Sequence, residues 1–279
     1  MIPEIQLQRA VRLLLQADAL VIAAGAGMGV DSGLPDFRGD QGFWTHYPAL
    51  GRQQIPFYAI ASPQAFRQAP ELAWGFYGHR LQLYRNTRPH AGFGILREWA
   101  AQMPGACSVF TSNVDGQFQK AGFEEQQMHE CHGSVHYLQC LLPCRDAIWP
   151  ASDITPEVDV AACRLLSPLP RCPHCGGIAR PNILMFNDSQ WLEQRCQQQQ
   201  ARQQRWLAAA RRPLVIEIGA GTAIPSVRHF SLQTVQRHHG HLLRINLREP
   251  SVERESDTGI AAPAAAALQV IHEAWQASR

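Results

Sequence analysis

The stretch 19–39 reads ALVIAAGAGMGVDSGLPDFRG and constrains the chain more than any other. Six apolar residues, Ala19 to Ala24, suit a strand buried on both faces, as in parallel sheets. The run then breaks into Gly25-Ala26-Gly27, with Gly29 and Gly33 close behind. Glycine admits positive φ and lets another group come close to the backbone. A strand that feeds a glycine turn and then a helix N-terminus presents free N–H groups, which makes an anion site. The spacing departs from the usual dinucleotide fingerprint, because Val30 stands where the third glycine belongs. Just beyond, Pro35-Asp36-Phe37-Arg38-Gly39 sets an acid, an aromatic and a guanidinium side by side without a core-packing rationale.

The rest of the chain reads as elements around this strand. A helix over 5–16 leads into it, and helix, strand and glycine turn together predict a parallel α/β sheet. Residues 41–86 form a helical excursion, with proline-led helix starts at Ser62-Pro63 and Pro70-Glu71. A helix over 89–102 precedes a short strand at 108–110, which ends in Thr111-Ser112-Asn113-Val114-Asp115. Residues 140–178 are rich in Pro and Cys without sustained periodicity, which predicts a small module held by something other than a core. A strand is expected at 182–186 and an exposed Gln- and Arg-rich helix over 189–211. A buried strand at 214–218 ends in Gly219-Ala220-Gly221-Thr222; another at 242–245 ends at Asn246, with Glu249 beyond; a helix over 261–275 closes the chain. Four strands therefore end in small or polar residues, at Gly25, Asn113, Gly219 and Asn246. In a parallel sheet those ends share one edge and line a single crevice.

A formal net charge of +2 argues against nucleic acid or a membrane surface as partner. No apolar run approaches the roughly 20 residues that span a bilayer. The first residues read as an amphipathic helix and not a signal peptide, so eight cysteines point to thiols or metal and to a cytoplasmic protein. Cys140-x3-Cys144 and Cys172-x2-Cys175 form paired thiolates at zinc-hairpin spacing. Free buried thiols or a redox pair are the alternatives, and Cys163 or His174 could replace a ligand. A closed four-sulfur shell leaves no open position for chemistry, so such a zinc is structural. On the helix opened by Pro70, Tyr77 and Arg80 share a face. A tyrosine hydroxyl and a guanidinium can hold a carboxylate; the alternative is an ordinary helix face with Tyr77 packed and Arg80 solvated.

The opening loop, Gly25-Ala26-Gly27 with Ser32-Gly33-Leu34-Pro35-Asp36-Phe37-Arg38-Gly39, resembles the NAD-binding loop of the sirtuins, the NAD-dependent protein deacylases. The resemblance runs through six blocks in the family's order, from Ala19 to about Ile260. It implies a Rossmann-like large domain (1–44, 88–138 and 180–279) and a smaller domain from a helical insertion (45–87) and a zinc-binding insertion (139–179). It implies NAD held by Gly25, Ala26, Gly27, Asp36, Phe37, Arg38, Ser112, Asn113, Asp115, Gly219, Gly221, Thr222, Asn246 and Glu249. It also implies a structural zinc on Cys140, Cys144, Cys172 and Cys175. His132, followed by Gly133, matches the catalytic histidine, with Asn113 and Asp115 beside it; His129 and His136 lack the glycine. Ile183, Leu184 and Phe186 resemble the strand that receives an acyl-lysine peptide. Tyr77-x-x-Arg80 is similar to sirtuins that remove succinyl, malonyl or glutaryl groups.

The chain departs from the family pattern at Gly29 (usually serine), Ser112 (glutamine), Gln117-Phe118 (Leu-His) and Asn187-Asp188 (Gly-Glu). The implied reaction has the acyl oxygen attack the ribose carbon that carries nicotinamide. His132 then acts as base on a ribose hydroxyl, giving free lysine, nicotinamide and O-acyl-ADP-ribose. Acylated protein lysines are the implied substrates. An ADP-ribosyltransferase and an NAD- or ADP-ribose-binding sensor of low turnover remain as alternatives.

Overall fold

The computed structural model describes residues 2–36 and 39–279. Among these, six strands form one parallel sheet in the spatial order Thr258–Ile260, His241–Ile245, Pro213–Ile218, Ala19–Ala24, Cys107–Thr111, Met128–Glu130. Counted along the chain this is 6-5-4-1-2-3, the doubly wound Rossmann order. Side chains alternate across the Ala19–Ala24 strand. Leu20, Ile22 and Ala24 join a cluster with Leu14, Leu96 and Leu268, from the helices Glu4–Gln16, Ala91–Ala101 and Ala264–Ala277. Val21 and Ala23 join Leu207 and Val227, from Gln194–Ala209 and Ser226–Arg237. Both faces are thus covered, which is why the strand is apolar throughout.

Register fixes the crevice. Ala24 pairs with Thr111 on one side and Ile218 on the other, and Ile218 pairs with Ile245. The next residue of each strand, Gly25, Ser112, Gly219 and Asn246, therefore emerges on one line. The strand order reverses between Ala19–Ala24 and Pro213–Ile218, and there the glycine turns meet. A Cβ on Gly25 would lie 2.7 Å from the Gly219 carbonyl oxygen, and one on Gly27 would lie 2.6 Å from Gly219 Cα. The helix after the first turn, Gly27–Val30, is a single turn.

Several elements differ from the sequence reading. Met128–Glu130 and Thr258–Ile260 are three-residue edge strands, too short to show a period. Gly133–Cys140 is the middle strand of a second, antiparallel sheet with Ile148–Pro150 and Ala179–Ile183. The strand expected at 182–186 thus lies three residues earlier. The Pro- and Cys-rich stretch does bury apolar side chains: Leu141, Ala151, Cys163 and Leu165 pack with Phe43, Trp74 and Phe76 of the helical excursion. The Gln-rich helix is not wholly exposed. Gln199 Oε1 accepts the Glu130 N–H (2.9 Å), and Gln203 bonds the His129 ring (2.7 Å) and the Ser108 hydroxyl (3.0 Å), so buried amides satisfy the sheet edge.

Gly219→Ala is expected to cost about 2–4 kcal/mol, because φ is +63° and the new methyl would strike the Gly27 backbone. Chemical denaturation measures it; a loss under about 0.5 kcal/mol would remove the close-approach argument.

Candidate active site

A cavity of about 620 Å³ opens where the parallel strands stop. Its floor is Gly25, Ala26, Gly219, Gly221 and Thr222, with Asp36 and Glu249 at the wall. Ser112, Asn113, Asp115 and His132 line it as well, and Tyr77, Arg80, Ile183, Leu184 and Phe186 complete the other end. Two predicted residues sit behind the lining. Gly27 packs on Gly219. Asn246 donates from Nδ2 to the Ala220 carbonyl (2.8 Å), while its Oδ1 accepts the Arg248 and Glu249 N–H groups (3.0 Å each), so it props the wall. Thr222 donates to Glu249 Oε1 at 2.8 Å. Phe37 and Arg38 lie outside the described residues.

His132 owes its place to the residue after it. Gly133 has φ +76°, and any Cβ there would strike the Asn182 carbonyl oxygen. Only glycine lets this strand start so close to its neighbour. His132 Nε2 lies 3.4 Å from the Ser226 hydroxyl. Burial lowers the imidazole pKa below its ordinary value, against a bond to the Ser112 backbone that raises it. The ring is therefore neutral near pH 7 and available as a base. His129 is held by Gln203 against the Phe110 ring, and His136 Nε2 bonds the Asp115 carbonyl at 2.9 Å. Neither lines the cavity.

Asn113 and Asp115 are fixed by the strand end that carries them. Thr111 donates to the Ala24 carbonyl (2.9 Å) and accepts the Asn113 N–H (3.0 Å). Asn113 Nδ2 donates to the Gly25 carbonyl at 3.0 Å, tying the two loops together. Asp115 accepts the Gln117 N–H at 2.9 Å. Burial pushes its carboxyl pKa up to about 6, although the Gln117 bond and Arg80 pull the other way.

At the other end, Tyr77 is 1% exposed and stacked on Phe66 at 5.6 Å. Burial, against the pull of Arg80, pushes its hydroxyl up to about 12, so it is protonated at neutral pH. Arg80 is 7% exposed and not solvated. The amides after Ile183 are already engaged: Leu184 N–H donates to the His132 carbonyl (3.0 Å), Met185 N–H to Asp188 (3.4 Å) and Phe186 N–H to the Ala61 carbonyl (3.0 Å). Asp188 also pairs with Arg180 at 2.8 Å, both side chains fully buried, while Asn187 takes a left-handed φ of +53°, which asparagine tolerates. Sequence reasoning missed Tyr84, Phe57 and Met185, which also line the cavity. Tyr84 was findable, since it falls seven residues after Tyr77 on the same helix face; Phe57 and Met185 carry no local signal.

Away from the cavity, the sulfurs of Cys140, Cys144, Cys172 and Cys175 lie within 4.8 Å of one another. Cys140–Cys175 and Cys144–Cys172 are 3.6 and 3.7 Å apart. A tetrahedral zinc with bonds of about 2.3 Å has an edge of about 3.8 Å, close to these two separations, so the set fits zinc. Cys163 is buried in the apolar cluster and His174 is not in the sulfur group.

The Sir2 family model matches residues 25–209. A protein of Aquifex aeolicus named NAD-dependent protein deacylase is 30% identical over 170 residues, 61% of this chain and 62% of that protein. One of the same name from Daphnia pulex is 32% identical over 200 residues, 64% of this chain and 66% of that protein. The chain thus spans just under two thirds of the length of these curated relatives. A solved Sir2 homologue–NAD complex superposes with a TM-score of 0.70 at 22% identity, covering 97% of this chain and 94% of that one; the likeness is one of fold. No helix among the described residues is long and apolar enough to cross a membrane.

Cys172→Ser is expected to remove bound zinc and lower Tm, read by metal analysis and calorimetry; full zinc occupancy in the variant would reject the four-sulfur set. Asp115 gives a second test. Its pKa is raised on folding, so its charged form costs stability above about pH 6 and the cost fades as pH falls toward the unfolded value of 3.8. Asp115→Asn should therefore raise Tm at pH 8, keep about half of that gain at pH 5 and lose most of it by about pH 4. A pH-independent change in Tm would rule out the burial argument.

Proposed function

The chain belongs to the Sir2 family, and from that premise we propose that it is an NAD-dependent protein lysine deacylase. One observation carries the reading: the half-buried, neutral imidazole of His132 shares a single cavity with the glycine turns of the strand switch point. NAD supplies the ribose carbon that takes the acyl oxygen as nicotinamide leaves. In this reading Gly25, Ala26, Gly219 and Gly221 let the dinucleotide approach the backbone closely. Thr222 and Glu249 face its adenosine side. Asp36, at the cavity wall, faces the reacting ribose. Ser112, Asn113 and Asp115 orient ribose and nicotinamide amide, a positioning effect that can supply several kcal/mol, order of magnitude.

His132 takes a proton from a ribose hydroxyl, which frees that oxygen to close on the acyl carbon. One water then adds to that carbon and its bond to the lysine nitrogen breaks, so the products are free lysine, nicotinamide and O-acyl-ADP-ribose. We read residues 45–87 and 139–179 as the insertions that build a small domain, with the zinc closing the second. The acyl-lysine enters along Ile183, Leu184 and Phe186. The charge of Arg80, buried beside Tyr77 at that end, favours acyl groups that carry a carboxylate, such as succinyl or malonyl.

Two other outcomes stay in view. A Sir2 fold can deliver ADP-ribose to a protein side chain, or bind NAD with little turnover. The presence of His132 in the cavity favours deacylation, which uses that base. Incubation with NAD and acylated peptides, followed by mass spectrometry, separates the three. Deacylated peptide is expected, and His132→Ala should reduce its formation about a hundredfold or more. Ribosylated protein in its place, or binding without turnover, would decide for the alternatives.

A further inference from the structure

Cys196 stands third in the helix Gln194–Ala209, which packs on one face of the parallel sheet. Its side chain is half-buried, does not belong to the four-sulfur cluster and does not line the cavity. Its sulfur lies 3.6 Å from His129 Nε2 and 3.9 Å from the Cys131 carbonyl oxygen. Cys131 is half-buried too. On an extended segment, residues two apart project to the same side. His129 and Cys131 do so: the first packs edge-on against Phe110, and the second packs on the cluster that holds Phe110 and Leu207. The two thiols are near enough that charge on Cys196 opposes charge on Cys131.

The bonds behind His129 fix which ring nitrogen carries hydrogen. Gln203 Nε2 donates to the Ser108 hydroxyl at 3.0 Å, so the amide turns its oxygen to His129 Nδ1 at 2.7 Å. An amide oxygen only accepts, so Nδ1 holds the hydrogen and Nε2 of the neutral ring presents a lone pair. Burial lowers the ring's pKa, against the Gln203 bond, and keeps it neutral. The lone pair faces the Cys196 sulfur. Burial, helped by the Glu193 charge, pushes that thiol up to about 11, so at rest it keeps its proton. Reaction at this sulfur therefore needs a base, and one stands beside it, at the looser distance usual before a reaction partner arrives. The helix N-terminus favours the negative charge that develops.

We propose that Cys196 is a site of oxidation by hydroperoxides, with His129 as its base and Cys131 as the thiol that closes the product into a disulfide. A small uncharged oxidant suits a sulfur that is only partly exposed. His129 Nε2 takes the Cys196 proton as the sulfur attacks a peroxide oxygen. The O–O bond breaks, and the leaving hydroxide takes the proton back from the ring and departs as water. The Cys131 sulfur then attacks the Cys196 sulfur; the S–O bond breaks, and the hydroxide leaves with the Cys131 proton as a second water. Two thiols lose two electrons, and the peroxide gains them. The new bond joins the helix to the residue just before His132, so on the deacylase reading it displaces the base and slows turnover.

The zinc-loaded protein is treated with hydrogen peroxide in slight excess, and its cysteines are mapped by peptide mass spectrometry without reduction. Wild type is expected to yield a Cys131–Cys196 disulfide with zinc retained. Cys131→Ser should stop at a sulfenic acid on Cys196, trapped by a cyclic diketone. His129→Gln should slow loss of the Cys196 thiol about tenfold or more. Deacylation of an acetyl peptide should fall about tenfold or more in the oxidised wild type and return with a dithiol reductant. Cys196→Ser should stay active through the same treatment. A Cys196 that stays reduced while other cysteines oxidise would overturn the site. Equal rates of thiol loss in His129→Gln and wild type would overturn the base, and a sulfenic acid without a disulfide in wild type would overturn the part of Cys131. The disulfide is read by mass, so it is tested even if no acyl peptide is turned over; an oxidised enzyme of unchanged activity would remove the link to His132.

Discussion

The whole site depends on two backbone turns that touch without side chains between them. Gly25 and Gly27 leave the first strand of the sheet, Gly219 leaves its neighbour, and the carbonyl of Gly219 accepts the Gly27 N–H at 3.1 Å. A methyl group on any of the three would force the turns apart. Because the strands beneath are in register, separation here would carry the floor of the cavity with it. The doubly wound topology puts a crevice at the reversal of strand order in any such sheet. The glycines decide how closely a ligand can approach its bottom.

Above that floor, the polar groups are buried or half-buried and crossed by bonds from distant parts of the chain. Asn113 reaches back to Gly25, His136 braces the Asp115 carbonyl, and Leu184 hangs from the carbonyl of His132. In the proposed reaction the last bond matters most, since it would join the base to the segment that would carry the acyl-lysine. Burial also makes the site costly: it holds Asp115 closer to neutrality than a surface carboxylate and keeps His132 uncharged. Such tension between stability and reactivity is usual where titratable groups are gathered in a cleft.

The legible parts of the chain were those with a local physical cause. The apolar run at Ala19–Ala24 could only be a doubly covered strand, and the proline and serine caps opened the helices where Pro63 and Pro70 stand. Polar residues at strand ends pointed to one edge, and register made that edge a line. The four cysteines declared themselves by spacing. What stayed hidden was set by tertiary contact. Edge strands of three residues have no pattern to read. The buried amides of Gln199 and Gln203 looked like solvent-facing polarity, because their partners lie some seventy or more residues away. In the sequence Gly133 is legible only as the companion of His132; its reason, the carbonyl of Asn182 pressed against it, belongs to a strand that lies three residues earlier than the pattern suggests.

The antiparallel strand Gly133–Cys140 begins one residue after the imidazole and ends in a sulfur of the metal cluster. At about 3.3 Å per residue its eight residues span at most roughly 23 Å, with a break in pairing between Ser134 and Leu138. One end lies among the four sulfurs, and the other adjoins His132, the base of the proposed reaction. The sulfur cluster and His132 thus lie at opposite ends of one strand although they share no contact. A zinc that touches no reactant can then act on turnover as a clamp acts on a ruler: loosened, it lets the far tip wander.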